Sequence, residues 1–255
     1  MRVITGAAIA GVSFVAGLLI DQSGLIDGYI EQRGARAERL ALLEQTIADQ
    51  EWAEKIMGGG YILHIRHAQR ARWRDASAFD VWEARTGVDA STTDWSGAVC
   101  LTSQGVEEAK MLGRIFAEAG IPIGEVYSSP ICRARQTAQY AFGEDFEIRN
   151  QLLARSALRP QQRRDFSVAL KEFLVALPIK EGTNTVLTGH GNSISNQQVT
   201  VLDQIDFKLG VPRHETGFYV LERDGEQIIG RHRFQSMRSF ANAVLDAPPA
   251  PSGEN

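Results

Sequence analysis

The 255-residue chain holds only two cysteines, Cys100 and Cys132. Two thiols cannot build a disulfide-rich scaffold, and no C-x-x-C pair is present to start a zinc site. Histidine is sparse as well, with His64, His67, His190, His214 and His232. None is paired at H-E-x-x-H spacing, so the sequence predicts no metal site and no metal cofactor. Basic charge is not in excess: the formal net charge is −4. That balance gives no nucleic-acid footprint, and any affinity for phosphate must come from local arginines. What remains is an ordinary globular composition, 44% hydrophobic and 23% charged, in a chain long enough for a sizeable core.

Long apolar runs are also few. Val3 to Ile20 is the clear one, uncharged and bounded by Arg2 and Asp21. Its length is at the lower edge of a membrane span. Arg2 and the terminal amine favour a cytoplasmic N-terminus, which sends the rest of the chain outward. A cleaved signal peptide is the rival reading. Val15-Ala16-Gly17 is a weak cleavage site, however, and the run continues through Leu18-Leu19-Ile20. The preferred expectation is a transmembrane signal-anchor over residues 1–22, with the remainder periplasmic or extracellular. Residues 23–59 read as a helical stalk, with Ile26, Ile30, Leu40, Leu43 and Ile47 near helical spacing. A short coiled coil that dimerises the chain is one reading of this stripe, although Arg33 and Glu44 interrupt the heptad. Gly58-Gly59-Gly60 ends the helix.

Residues 60–246 read as one globular domain, with a disordered tail over 247–255. Tyr61 to Ile65, Glu125 to Ser128, Phe146 to Ile148 and Thr185 to Thr188 are short apolar or β-prone runs. They alternate with helical patterns over Gln104 to Ala119, Cys132 to Phe142 and Asp165 to Ala176. Phe218 to Glu222 and Gln227 to Arg233 flank Asp224-Gly225 as a hairpin. Such alternation predicts an α/β, three-layer sandwich with a mostly parallel central sheet, preceded by the N-terminal membrane-anchor helix and its stalk. Between Arg70 and Val99 runs a polar excursion bearing Trp73, Trp82 and Trp95, expected to overhang the site and shape specificity.

Ligands of such sheets bind at the carboxyl ends of the strands. The first strand is followed by Arg66-His67-Ala68-Gln69-Arg70. The second runs into Ser129-Pro130-Ile131-Cys132-Arg133-Ala134-Arg135-Gln136-Thr137-Ala138, and the later buried strand into Gly189-His190-Gly191-Asn192. One sheet edge thus collects two histidines and several arginines, a cationic cup suited to a phosphoryl group.

These motifs resemble the histidine phosphatase superfamily with the phosphoglycerate-mutase-like fold, over roughly residues 60–235. Arg66-His67 is similar to its Arg-His signature, with Ala68 in place of the usual glycine. Leu101-Thr102-Ser103-Gln104-Gly105 is similar to its Leu-Thr-x-x-Gly helix start. Ser129-Pro130 through Ala138 resembles its second signature, and Gly189-His190-Gly191 its second catalytic histidine. The resemblance implies a phosphomonoester hydrolase with no cofactor, in which neutral His67 attacks phosphorus and becomes phosphohistidine. Arg66, Arg133 and a protonated His190 would hold the phosphoryl oxygens, and Arg70 would add to phosphate binding at its Arg-His-Gly-x-Arg spacing. Arg135 is expected as a surface charge, His64 as structural and His232 as a surface or hairpin residue; His214 has no assigned role.

The resemblance fails at the general acid. One branch carries a glutamate in a Leu-x-Glu segment, where this chain has Leu152-Leu153-Ala154. The other carries an aspartate after the second histidine, where this chain has Gly191. Glu215 is the first candidate proton donor, with Asp94 and Asp165 behind it. Without an acid, good leaving groups would be favoured, or the substrate would supply the proton. The rival functions are a phosphoglycerate-mutase-type phosphotransferase and a membrane-tethered module that binds a small phosphorylated ligand with weak turnover. Cys100 and Cys132 fall near the cup, as a disulfide if the domain is exported or as two buried thiols.

Overall fold

The computed structural model describes residues 7–71, 100–154, 160–194, 200–207 and 210–245, without the side chains of residues 7–30, 32 and 160–163. The excursion expected between Arg70 and Val99 lies almost wholly outside them, as does the tail over 247–255. Helix α1 spans Ala7–Met57. Among the described residues no helix is long and apolar enough to cross a membrane. The anchor helix expected over residues 1–22 is therefore not found. From Glu31 onward α1 carries Arg33, Arg36, Glu38 and Arg39, too many charges for a span, and the Val3 to Ile20 run falls where side chains are not described.

The chain divides into two compact units, residues 1–47 and 48–255. The described face of the first, α1 up to Ile47, leaves Leu40, Leu42, Leu43 and Ile47 exposed. The second contains the last turns of α1 and all the sheet. Its elements follow in order: β1 (Ile62–Arg66), α2 (Ser103–Glu118), β2 (Ile123–Ser128), α3 (Cys132–Phe142), β3 (Glu147–Ile148), α4 (Pro160–Ala176), β4 (Asn184–Gly189), β5 (Gln204–Ile205), β6 (Phe218–Asp224), β7 (Gln227–Phe234) and α5 (Met237–Leu245). The strands lie in the order β3-β2-β4-β1-β6-β7-β5. The three that carry the expected motifs pair in parallel, β1 and β2 each beside β4, and β3 lies parallel beyond β2. Only β6 runs against its neighbours, so the sheet is mixed, with a parallel half that faces one edge with all its carboxyl ends.

Side-chain alternation along the strands divides the core into two layers. On one face Leu63 and Ile65 of β1, Val126, Val186, Phe218 and Phe234 meet Leu112 and Phe116 of α2, Ala53 and Ile56 of α1, and Phe240 of α5. On the other, Ile62, Tyr127, Leu187, Tyr219 and Leu221 pack under Leu170 and Leu174 of α4. The domain is thus a three-layer α/β sandwich.

The α1 contribution departs from a simple stalk. Asp49 accepts a hydrogen bond from His232 Nε2 of β7 at 2.7 Å, with both side chains buried. Trp52 stacks on the same ring, 6.1 Å between centroids and 9° between planes. His232 therefore lies in the β6–β7 hairpin, as one of the two sequence readings has it, but as a buried helix-to-sheet contact and not as a surface residue. Its alternation in β7 points it to the α1 side, where the helix covers it. The turn at Gly225 adopts φ +59°, which a glycine takes without strain. Helix α5 and strand β5 escape the sequence reading, one lying after the last motif and the other only two residues long.

Candidate active site

The β1 carboxyl end delivers Arg66 and His67. The His67 N–H donates to Gly189 O of the β4 end at 2.9 Å, which ties the two histidine loops together. Behind them, Thr216 turns back under the strand with φ 64°, an uncommon backbone conformation for a branched residue. Its N–H lies 3.1 Å from Arg66 O and 3.3 Å from His67 O. The Arg66 guanidinium is held by Pro212 O at 3.0 Å. After His67, Ala68 N–H donates to Thr137 Oγ1, and that hydroxyl donates to Arg133 O, so α3 is clamped to the β1 loop. The next residue is fixed by α2. Thr102 caps that helix by accepting from Gly105 N–H at 3.0 Å. A Cβ at Gly105 would lie 1.9 Å from Gln69 O, so the glycine of Leu-Thr-x-x-Gly is the residue that lets α2 approach the catalytic loop.

Arg66, His67, Arg70, Arg133, Ala154, His190, Gly191, Asn192 and Val211 line one cavity of about 230 Å³. The structure therefore brings together every expected phosphate-binding residue and the two histidines expected to be catalytic, but not Glu215. The imidazoles of His67 and His190 stand 5.4 Å apart, centroid to centroid. His67 Nδ1 is 2.9 Å from Ala68 O. A carbonyl only accepts, so the proton sits on Nδ1 and Nε2 keeps its lone pair. Burial, and then the Arg133 charge, hold His67 well below the ordinary imidazole range. It is therefore neutral, the form that the expected nucleophile requires.

Burial and then Arg133 depress the proton affinity of His190 too, with His67, His64 and Arg66 adding in the same sense, because a buried ring beside guanidinium groups takes on further positive charge at a cost. Ser129, in the second motif but with no role assigned from sequence, lies 3.2 Å from His190 Nε2. Arg133 Nη2 lies 3.4 Å from Nδ1. The signal for Ser129 was its place directly after β2, on the same edge as the histidines.

Ala154 does face the cup, so the position where a branch of the family carries its acid is occupied here by a methyl group. Glu215 does not line the cup. It opens on a neighbouring cavity of about 360 Å³ with Gln69, Glu108 and His214. Burial raises its carboxyl above the usual range, against the opposing charge of Arg66. Asp165 is exposed on α4 and does not line the cup, and Asp94 lies outside the described residues. Arg135 is partly buried rather than a free surface charge, since α3 tucks it against the domain. His64 is fully buried in β1, as expected for a structural residue. Cys100 and Cys132 form a disulfide with 4.9 Å between Cα atoms. It joins the residue before the α2 motif to the residue before Arg133. No group of three or more His, Cys, Asp or Glu able to hold a metal ion occurs among the described residues.

Residues 62–156 match the histidine phosphatase superfamily (branch 1). A 2,3-bisphosphoglycerate-dependent phosphoglycerate mutase of Lactobacillus acidophilus is 32% identical over 87 residues, 34% of this chain and 31% of that protein. The chain thus matches about a third of the length of its curated relative. Among solved structures, the protein histidine phosphatase SixA complexed with tungstate aligns with 70% of this chain and 97% of its own, at 13% identity and TM-score 0.47. Phosphoserine phosphatase of Entamoeba histolytica in complex with 3-phosphoglyceric acid aligns with 71% of this chain and 98% of its own, at 15% identity and TM-score 0.43. The matched segment contains Arg66-His67, the Leu-Thr-x-x-Gly helix start and the arginine-bearing second motif, and over that segment the chain is similar to the histidine phosphatase superfamily.

Proposed function

We propose that this protein is a phosphatase, a phosphomonoester hydrolase that works through a phosphohistidine on His67. The observation that carries the reading is the Nδ1–H of His67 held on Ala68 O, which leaves Nε2 bare in a cup lined by three arginines. Arg66, Arg70 and Arg133 would take the phosphoryl oxygens, and their fixed charge would stabilise the transition state. Nε2 attacks phosphorus in line, and water then hydrolyses the N–P bond. Placement supplies much of the acceleration, since the nucleophile is an unassisted imidazole. The leaving oxygen needs a proton, and the two sources in play are Glu215, from its neighbouring cavity, and the substrate itself.

The cup has no carboxylate among its described lining residues, and that favours a second reading, a module that binds a small phosphorylated ligand and turns it over weakly. The same feature speaks against a mutase-type phosphotransferase, which must protonate and deprotonate hydroxyls in both directions. We also place the domain outside the cytoplasm, periplasmic or extracellular. The Cys100–Cys132 disulfide suits an oxidising compartment, and the uncharged Val3 to Ile20 run suits export.

The test uses the whole chain with an aryl phosphate and no added metal, beside His67→Ala. Turnover lost in the variant, with an acid-labile phosphoryl group trapped on His67 by rapid quench, supports the phosphatase. Tight phosphate binding with no turnover in the unmutated chain leaves the binding module as the better reading.

A further inference from the structure

Strand β6 runs against β1, and β7 against β6, so the carboxyl end of β7 lies at the same sheet edge as the cup. Arg233 is the penultimate residue of β7. It pairs with Tyr219 of β6, which pairs in turn with His64 of β1, so the three side chains leave one face of the sheet in a row. Arg233 thus stands two strand spacings from β1, about 10 Å. Its guanidinium lies over Phe207, 5.5 Å from the ring centroid. The side chain keeps part of its surface in solvent, yet Nε and Nη1 are buried and meet no acceptor among the described residues. A guanidinium has only protons to give, so a buried N–H of this kind calls for an acceptor from elsewhere.

No carboxylate supplies it among the described residues. Burial lowers the proton affinity of Arg233, Tyr219 opposes that, and the Arg213 charge adds to the lowering. The neighbouring charge is thus a second cation. Arg213 is exposed, with its backbone N–H on Gln235 Oε1 at 3.1 Å. Neither arginine lines the cup. The segment from Gly210 to Arg213 stands between them and it. Val211 lines the cup, and Pro212 O holds the Arg66 guanidinium at 3.0 Å. Gly210 O accepts from Tyr219 Oη at 2.8 Å. A Cβ on Gly210 would lie 2.9 Å from Arg233 Nη1, so this wall touches the guanidinium only because no side chain intervenes. One side of the wall carries the three arginines of the cup, and the other carries two more.

We propose that Arg213 and Arg233 form a second anion subsite, across the wall from the cup, and that the ligand is a phosphomonoester whose organic part carries a further anionic group, a carboxylate or a second phosphoryl. The proposal rests on the reading of the cup as a phosphoryl site and narrows the substrate class of that site. With the phosphoryl group in the cup, the organic chain crosses Val211, an apolar residue exposed at the rim. Its distal anion then meets the two guanidinium groups. Guanidinium forks match carboxylate and phosphoryl oxygens alike, and they keep their charge at any working pH. An uncharged organic part would leave this second pair of cations without a counter-charge.

The test is calorimetric titration of the whole chain with two phosphonates of equal length: phosphonohexanoate, with its carboxylate at the far end, and hexylphosphonate, which ends in a methyl group. Their extended length matches the two strand spacings, about 10 Å. A P–C bond is not an ester, so the result does not depend on turnover. The carboxylate ligand should bind about 10–100-fold more tightly, the usual worth of a charge-assisted hydrogen bond. In Arg233→Gln, and in Arg213→Gln, a surface change that the fold tolerates, the ratio should fall toward one, because only the carboxylate ligand loses a contact. A purely structural role for Arg233 would weaken both ligands alike and leave the ratio standing. A ratio near one in the unmutated chain, or an unchanged ratio in the two folded variants, would overturn the proposal. So would added acetate that tightens hexylphosphonate binding while the ratio stays near one, since the pair would then hold a separate anion and not the far end of the ligand. A chain that binds neither phosphonate nor inorganic phosphate would overturn the phosphoryl-site reading beneath it.

Discussion

Removing the Asp49 carboxylate should destabilise the domain by more than any surface change on α1. Asp49 meets His232 Nε2 at 2.7 Å, and their side chains are only 7% and 5% exposed. Trp52 covers one face of the ring, and Phe234 meets it edge-on with centroids 4.7 Å apart. In Asp49→Ala the ring nitrogen loses its acceptor where water is excluded. An orphaned buried polar group costs about 1–3 kcal/mol, and breaking the pair while it is ionised costs about 3–5 kcal/mol. For a domain of this size each kcal/mol moves the melting temperature by about 2–4 °C, so a drop of roughly 2–12 °C is expected from the orphaned group and roughly 6–20 °C from an ionised pair. Asp49→Asn keeps an acceptor oxygen and should lose less. Replacing both partners together, Asp49→Leu with His232→Phe, removes the orphan and should recover much of the loss. Urea unfolding monitored by tryptophan fluorescence measures this through the midpoint at constant slope. An Asp49→Ala midpoint within about 0.5 kcal/mol of the parent would refute the reasoning, because surface substitutions do no more than that.

Three further outcomes can be measured. Reducing Cys100–Cys132, which are 32 residues apart, should cost about 3–4 kcal/mol from the loop-closure term, read as a lower urea midpoint in reductant that Cys100→Ala does not lower further. His67 and His190 both have depressed proton affinity in the folded cup, so the unfolded chain binds protons more readily. Their contribution to stability is complete above the unfolded imidazole value of about 6.5 and is lost as pH falls from there toward their folded values; melting temperatures that stay flat over that interval would contradict it. Glu215→Gln separates the two proton sources. If the substrate supplies the proton, aryl and alkyl phosphates should lose the same small factor in kcat, whereas a loss confined to alkyl phosphates would make Glu215 the donor.

The cup was legible in the sequence because its parts lie in short, ordered motifs at strand ends. Arg66, His67, Arg133 and His190 needed only the periodicity of the strands and the residues that follow them. The parallel half of the sheet was legible for the same reason: β1, β2 and β4 are short apolar runs with recognisable helices between them. What escaped depends on long-range pairing. His232 reads as a polar residue in a hairpin, and only the packing of α1 from 183 positions away makes it a buried contact. The same pairing hides the role of Asp49, which looks like any acidic residue of a charged helix. Glu215 was legible as a carboxylate near the end of the chain but not as one facing the adjoining cavity, since its direction is set by the left-handed turn at Thr216. Nothing in a one-dimensional pattern announces a β-branched residue in that conformation.

Motif reading alone does not show how the fixed charges of the cup bear on its histidines. Arg66, Arg70 and Arg133 already place three fixed positive charges around about 230 Å³. A protonated His190 would add a fourth with no carboxylate among the described lining residues to offset it, and desolvation makes each added charge costlier in so small a space. The neutral ring, held between Ser129 and Arg133, avoids that cost. Positive charge is kept on groups that cannot lose it. An acid at position 154 would lower the positive potential of the cup; with alanine there the cup keeps that potential and has no donor at that position.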